Sequence, residues 1–246
     1  MGVLGIDIGG SGIKGAIVDT ETGELATDRF RLPTPEGARP QEVAQVFAEV
    51  VKHFEYQGPI GVGFPAVIRG GIIYTAANIS RMWIGTNASK LFGDVSGCPV
   101  YIVNDADAAG IAEMTFGIGR HYGQSVVFLI TIGTGVGTAI FVNGTLLPNT
   151  ELGHIEIRGK DAEKRASDAA RQEKGYSWKQ WAEKLQEYLS TIERLISPDV
   201  VIIGGGISKD SEKFVPLLNL KAKIEIAQLL NQAGIVGAAL YAKNRS

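Results

Sequence analysis

The stretch "NDADAAG" sets two acids, Asp105 and Asp107, directly behind Asn104. It follows the apolar run "VYIV", so Asn104 and Asp105 are expected at the carboxyl end of a strand, where open α/β sheets place their ligand crevice. A carboxylate at Asp105 can take the proton of an attacking hydroxyl, or aim that hydroxyl in a phosphoryl transfer governed by orientation and charge stabilisation. A helix cap is an equal reading of this segment alone. Asp107 suits the first turn of the next helix, where negative charge is favourable.

Three glycine-rich turns point to phosphate. "DIGGSGIK" joins Gly9, Gly10 and Gly12 to a hydroxyl (Ser11), a cation (Lys14) and an acid (Asp7); "TIGTGVG" offers Thr131, Gly133, Thr134 and Gly135 with no charge; "GGG" is Gly204, Gly205 and Gly206. Glycine lets backbone amides approach an anion closely, and successive amides form anion-binding concavities. An acid beside such a cradle repels phosphate unless a cation lies between them. Asp7 is therefore expected to hold Mg²⁺, directly or through water, since that ion keeps several waters and takes one or two carboxylates. The alternative is that these glycines only make hairpins.

"NTELGHIEI" sets Glu151 three residues before His154, and "TAANISRMWIGTN" places Asn78 and Asn87 around Trp83. Carboxylate, imidazole and amide are donors and acceptors for adjacent sugar hydroxyls. A zinc site normally needs three or four ligands, which this set does not supply.

The elements that must position these groups are legible in outline. "GSGIKG" (residues 10–15) matches a dinucleotide-binding fingerprint, but that motif needs a helix after it. Here "GAIVDTETGEL" is a second β-branched run ending in a polar turn, so a strand–turn–strand unit is expected. "LGIDIGGSGIKGAIVD" aligns with "LITIGTGVGTAIFV" so that Asp7 faces Thr131 and Gly9 faces Gly133. Two such hairpins imply a duplication and two similar α/β lobes facing one cleft. The smaller lobe is expected over 1–107, with a terminal helix at about 233–246 packing back on it through Gly234 and Gly237; the larger lobe covers 108–232. "RPQEVAQVFAEVVKHF" and "SWKQWAEKLQEYLSTIERLI" have helical apolar spacing, the second with a capping box of Ser177 and Gln180. Its tryptophans are read as core. The polar stretch Lys160 to Lys174 is read as a mobile excursion.

Composition narrows the function classes. A hydrophobic content of 45%, a charged content of 20% and a net charge of −2 describe a globule with no global field for nucleic acid or membrane. The single cysteine, Cys98, excludes a disulfide framework and a cysteine-based zinc site, and a cytoplasmic setting is expected. The uncharged run Ser125 to Val142 carries glycines at 133, 135 and 137, so it is read as two buried strands rather than a membrane span.

Together "DIGGSGIKGAIVD", "GVGFPAVI", "TAANISRMWIGTN", "NDADAAGIAE", "ITIGTGVGTAI", "PNTELGHIEI" and "GGGIS" resemble the ROK family of sugar kinases, in their order, from about residue 4 to 240. Within it they are most similar to the polyphosphate glucokinase branch. The resemblance implies a two-lobed actin/hexokinase-like (ribonuclease H-like) fold and a homodimer. It implies phosphorylation of glucose, with mannose as a further acceptor, at the 6-hydroxyl by polyphosphate or ATP. By the same resemblance Asp105 is the catalytic base. Asn104, Glu151 and His154 contact the sugar, beside Gly63 and Pro65. Asp7, Gly9, Gly10, Gly12 and Lys14 form the first phosphate loop; Thr131, Gly133, Thr134 and Gly135 form the second; Gly204 to Gly206 receive the nucleotide in ATP-using relatives. Most members carry a three-cysteine, one-histidine zinc site after "GH". "HIEIRGKDAEKRAS" has no cysteine, so that loop must be held otherwise, and Glu163 is expected to replace the sugar-contacting glutamate that follows the motif. Two alternatives stand beside this reading: a strictly ATP-dependent hexokinase, and a sugar-responsive DNA-binding regulator. The second is disfavoured because only three residues precede the core of the first strand, leaving no recognition segment.

Overall fold

The computed structural model describes residues 2–77 and 79–246. The chain forms two compact units, one from the residues up to Ala112 together with Gln232–Ser246, the other from Glu113–Asn231.

In the first unit, β1 (Gly2–Gly9) and β2 (Gly12–Asp19) form the expected antiparallel hairpin, with Gly9 paired to Gly12 across Gly10 and Ser11. β3 (Phe30–Leu32) extends it antiparallel. α1 (Pro40–His53) starts with a proline, whose fixed φ and missing N–H suit a first turn, and buries Val43, Phe47, Val50 and Val51. β4 (Ile60–Phe64) runs parallel to β1. The short hairpin β5 (Ile68–Arg69) and β6 (Ile72–Ile73) and then α2 (Ala88–Ser96) lead to β7 (Val100–Asn104), parallel to β4. α3 (Asp105–Thr115) follows without a break. The sheet order is β3-β2-β1-β4-β7. On one side its core is aromatic: Phe64 meets the edge of Trp83 at 4.7 Å, and Phe47 stacks on Phe92 at 4.5 Å.

The second unit repeats this plan. β8 (Val126–Ile132) and β9 (Val136–Val142) are the second glycine hairpin, so the uncharged run is two strands and a turn. β10 (Thr145–Leu147) extends it, and β11 (Glu156–Ile157) and β12 (Lys160–Asp161) make a small separate hairpin. α4 (Glu163–Ala166), α5 (Asp168–Glu173) and α6 (Trp178–Ile196) precede β13 (Val200–Gly204) and β14 (Lys223–Ile226), both parallel to β8. The order β10-β9-β8-β13-β14 carries the same strand senses as the first sheet. The register supports the repeat residue by residue. Asp7 is opposite Gly63 on its parallel neighbour, and Thr131 is opposite Gly204 on its own.

α7 (Ala233–Lys243) belongs to the first unit. It lies directly on β1 and β4 because glycines remove the side chains between them. A Cβ on Gly61 would strike the Ala238 carbonyl, and one on Gly237 would strike that of Ala108. The expected close packing through Gly237 is therefore present; Gly234 sits over the Asp7 carboxylate.

The stretch from Lys160 to Lys174 departs from expectation: it is folded, not an excursion. Ala162, Ala166 and Ala170, four residues apart, are buried, Ser167 Oγ accepts from Ala170 N at 3.1 Å, and the buried Trp181 donates to the carbonyls of Ala166 and Ser167. α6 has the expected capping box of Ser177 and Gln180. Trp181 is a fully buried core residue, and the half-buried Trp178 packs against the core, stacked on Phe214. No helix among the described residues is long and apolar enough to cross a membrane.

Candidate active site

The "ND" pair divides its labour. Asn104 is buried, and its Oδ1 accepts from Ala106 N at 2.9 Å and Asp107 N at 3.1 Å, closing the start of α3. Its Nδ2 donates to Ala66 O at 3.1 Å, just beyond the "GFP" strand end, with Phe64 opposite Asn104 in register. Asn104 thus carries the cap that could have fallen to Asp105. Asp105 Oδ1 accepts from Ala106 N at 2.9 Å, and the carboxylate is only half-buried. Asp107, the rival acid, is buried inside the first turn of α3. Gly63 packs against Asp105 Cα and Pro65 follows β4, so the "GFP" and "ND" strand ends are neighbours.

At the first turn Lys14 does not stand free for phosphate. It is the register partner of Asp7, and its Nζ lies 2.8 Å from Asp7 Oδ2. Lys14 thus faces the Asp7 carboxylate through Oδ2. Thr34 Oγ1 donates to Gly9 O at 2.5 Å and fixes the approach to the turn. Gly10 itself has nothing within 4 Å of where a Cβ would lie, and its φ is not left-handed. Gly133 and Gly206 share both properties. The fold therefore does not demand glycine at these three tips. Glycine there leaves the main chain open to close approach.

Two of the three turns share one sheet edge. Gly204 is opposite Thr131, and Gly205, at φ +81°, would drive a Cβ into the backbone of Ile132. Gly206 then opens a 3₁₀ segment, Gly206–Lys213, with Ser208 Oγ donating to Gly205 O at 2.8 Å. The turn at Gly133 to Gly135 is braced from the folded stretch behind it. Ala169 N donates to Gly133 O at 3.2 Å, and Val136 N donates to Glu163 Oε2 at 2.8 Å.

Glu151 and His154 come together with an acid the sequence did not single out. His154 Nδ1 lies 2.9 Å from Asp161 Oδ2, and His154 Nε2 lies 3.8 Å from Glu151 Oε2. Asp161 Oδ1 accepts from Glu163 N at 2.9 Å, so one carboxylate orients the imidazole and fixes Glu163. Burial pulls the imidazole pKa down, but the Asp161 hydrogen bond and the charges of Glu163, Asp161 and Glu151 outweigh it, and the net shift is up from 6.5. Burial pushes Glu151 up from 4.5, opposed by His154 and reinforced by Glu163. This segment is tied to β9 by a reciprocal pair: Thr138 Oγ1 donates to Thr150 O at 2.8 Å and Thr150 Oγ1 to Thr138 O at 2.9 Å.

The loop after "GH" is held by ion pairs. Arg158 and Arg165 converge on the two carboxylate oxygens of Glu187 in α6, and Arg165 also donates to Ile157 O at 3.3 Å. In "TAANISRMWIGTN" the structure shows local tasks for Asn87 and Trp83. Asn87 is the N-cap of α2, its Oδ1 accepting from Lys90 N at 2.9 Å, and Trp83 is buried with its indole donating to Ala38 O. Asn78 lies outside the described residues. Among the described residues no three His, Cys, Asp or Glu side chains are grouped to hold a metal ion.

Comparison with known proteins bears on this arrangement. The profile of the ROK family matches residues 3–166. The chain belongs to the ROK family. This ROK protein is 49% identical over 238 residues to a polyphosphate glucokinase of Mycobacterium tuberculosis, covering 96% of this chain and 89% of that one. Its structure is similar to that of the inorganic polyphosphate/ATP-glucomannokinase of Arthrobacter sp. strain KM, with a TM-score of 0.96, 45% identity and coverage of 100% and 99%. A ROK glucokinase of Streptomyces griseus, solved with glucose and AMPPNP, shares the fold at a TM-score of 0.84 and 23% identity, over 99% of this chain and 100% of that one. The fold class is the actin/hexokinase-like one.

Proposed function

We propose that this ROK protein transfers the terminal phosphoryl group of inorganic polyphosphate, and of ATP, to the 6-hydroxyl of glucose, with mannose as a second acceptor. The observation that carries the reading is the likeness, over nearly the whole chain, to a polyphosphate glucokinase. The glycine tips that no steric need explains support it.

In this reading the Asp105 carboxylate accepts the proton of the 6-hydroxyl as its oxygen bonds to phosphorus. The bridging P–O bond to the rest of the donor breaks, and the donor leaves one phosphate shorter. Asn104, by capping α3, holds Asp105 at the strand end, and Gly63 and Pro65 line the same end. His154, oriented by Asp161, hydrogen-bonds sugar hydroxyls, while Glu151 accepts from them and Glu163 supports both. The main-chain amides at Gly9 to Gly12 and at Thr134 and Gly135, with the hydroxyls of Ser11, Thr131 and Thr134, receive the donor's phosphate oxygens. Gly204 to Gly206 serve the nucleotide when ATP is the donor. A single carboxylate suits Mg²⁺, which takes one or two and keeps waters and phosphates as its other ligands. Asp7, with Lys14 on Oδ2 alone, would hold it, and the ion would supply charge neutralisation along the donor. A homodimer and a cytoplasmic setting complete the proposal, and light scattering of the purified chain checks the first.

The test is glucose 6-phosphate formation by nucleotide-free enzyme given polyphosphate alone, beside a parallel reaction with ATP. Product from polyphosphate is the expected outcome. Product from ATP only would replace this reading with a strictly ATP-dependent hexokinase.

A further inference from the structure

The register of the first sheet sets three charged residues side by side. Asp7 on β1 is opposite Lys14 on β2, and Lys14 is opposite Arg31 on β3. Register partners share a face of the sheet, so the three stand in one row. The ion pair of Lys14 with Asp7 cancels the first two charges. Arg31 is exposed and, among the described residues, has no carboxylate within ion-pair distance. Its guanidinium crosses the first turn instead, where Nη2 donates to Ser11 O at 2.6 Å. Nε and Nη2 stand 2.5 and 2.7 Å from the place a Cβ on Gly12 would take, so glycine at 12 leaves the lane open for the guanidinium.

We propose that Arg31 binds the donor chain, supplying the uncompensated cation of the first turn and holding oxygens of the polyphosphate phosphates behind the one transferred. Only one N–H is used on Ser11 O, and the rest of the guanidinium fork matches two oxygens of a phosphate. The assignment rests on the reading that the first turn receives the donor, and it names a residue and a role that reading does not require.

The full chain is compared as wild type, Arg31→Gln, Arg31→Lys and Gly12→Ala, with long-chain polyphosphate and glucose as substrates at two salt concentrations. Arg31→Gln is expected to raise the KM for polyphosphate about tenfold, the scale of one charge-assisted hydrogen bond. The kcat and the KM for glucose should stay within about twofold, and the KM for polyphosphate should depend less steeply on salt. Arg31→Lys should keep the salt dependence but recover only part of the affinity. Gly12→Ala, which displaces the guanidinium without removing its charge, should raise the same KM. If wild type uses polyphosphate and Arg31→Gln leaves its KM unchanged, the proposal fails and the functional reading stands. If Arg31→Gln lowers kcat and Tm together with no change in salt dependence, Arg31 is only a clamp on Ser11 and the proposal also fails. A wild type that makes no product from polyphosphate overturns the functional reading, and this proposal with it.

Discussion

The first and second glycine hairpins occupy the same place in two sheets of the same order, and differ in what surrounds them. Asp7 and Lys14 face one another below the first tip; the matching pair below the second is Thr131 and Gly137, without charge. The outer parallel strand of the first sheet ends at Asn104 with Asp105 next, while that of the second ends at Ile226 with Ala227 next. In the second unit Glu151, His154, Asp161 and Glu163 lie off the five-stranded sheet, in the 151–163 segment that braces the second turn. A shared scaffold fixes where turns and strand ends fall, and the residues placed there decide which chemistry each half serves. The first half carries acid and cation at its tip, which the proposed function assigns to bond making; the second carries an uncharged tip and the Glu151, His154 and Asp161 trio, which it assigns to the sugar.

The glycines give the sharpest way to break this comparison. Gly205→Ala forces a side chain into the Ile132 backbone at a left-handed φ, and is expected to cost about 3 kcal/mol or more, read by denaturant unfolding. Gly10→Ala and Gly133→Ala meet no atom within 4 Å, so each should stay within about 1 kcal/mol of wild type while raising the KM for the donor. Tip variants that lose stability as Gly205→Ala does would show that glycine serves the fold there too.

A smaller effect separates the charged turn from the neutral one. Lys14→Gln leaves Asp7 uncompensated beside the donor and should weaken polyphosphate about tenfold, with a flatter salt dependence. Thr134→Val, at an uncharged tip, should change the same KM about twofold and leave the salt dependence intact. Equal responses would erase the distinction between the turns.

The smallest expected effect lies in the second unit and concerns pH. His154 has a folded pKa raised above 6.5, so the stability it contributes is fully present below 6.5 and is lost as pH rises through the folded value. Glu151 is also raised, from 4.5, so folding favours its protonated form, and that contribution too is lost as pH rises through its folded value. Asp161→Asn removes the negative charge that lifts His154 through a charge-assisted hydrogen bond. The imidazole should then titrate lower by NMR, and stability should fall less across the histidine window. An unchanged titration would mean that Asp161 does not set the state of His154.

Much of this was legible in the sequence, for physical reasons. Hairpins, α1, α6 and the glycine-seated α7 announce themselves through apolar period, capping residues and small residues at contacts. Some of what was missed was also within reach. With Gly9 opposite Gly12, the register puts Asp7 opposite Lys14, so the ion pair follows from the turn alone. Asn87 before "ASKLFGDV" is an N-cap signal, and Ala162, Ala166 and Ala170 repeat at a helical four-residue interval in a stretch whose charges suggested a loop. The partnership of Asp161 with His154 depends on the β11–β12 hairpin folding back, and Arg31's position on the first turn depends on which strand pairs with β2. Neither pairing has a local sequence signal.

The central proposal is that Asp105, beside the helix-capping Asn104 at the end of β7, activates the acceptor hydroxyl. Turnover and calorimetric glucose binding of Asp105→Asn, measured on one preparation, test it most directly. A fall in kcat of about 10²–10⁴-fold with glucose affinity within about threefold of wild type is the predicted result. Near-normal turnover, or loss of glucose binding in step with turnover, would contradict it.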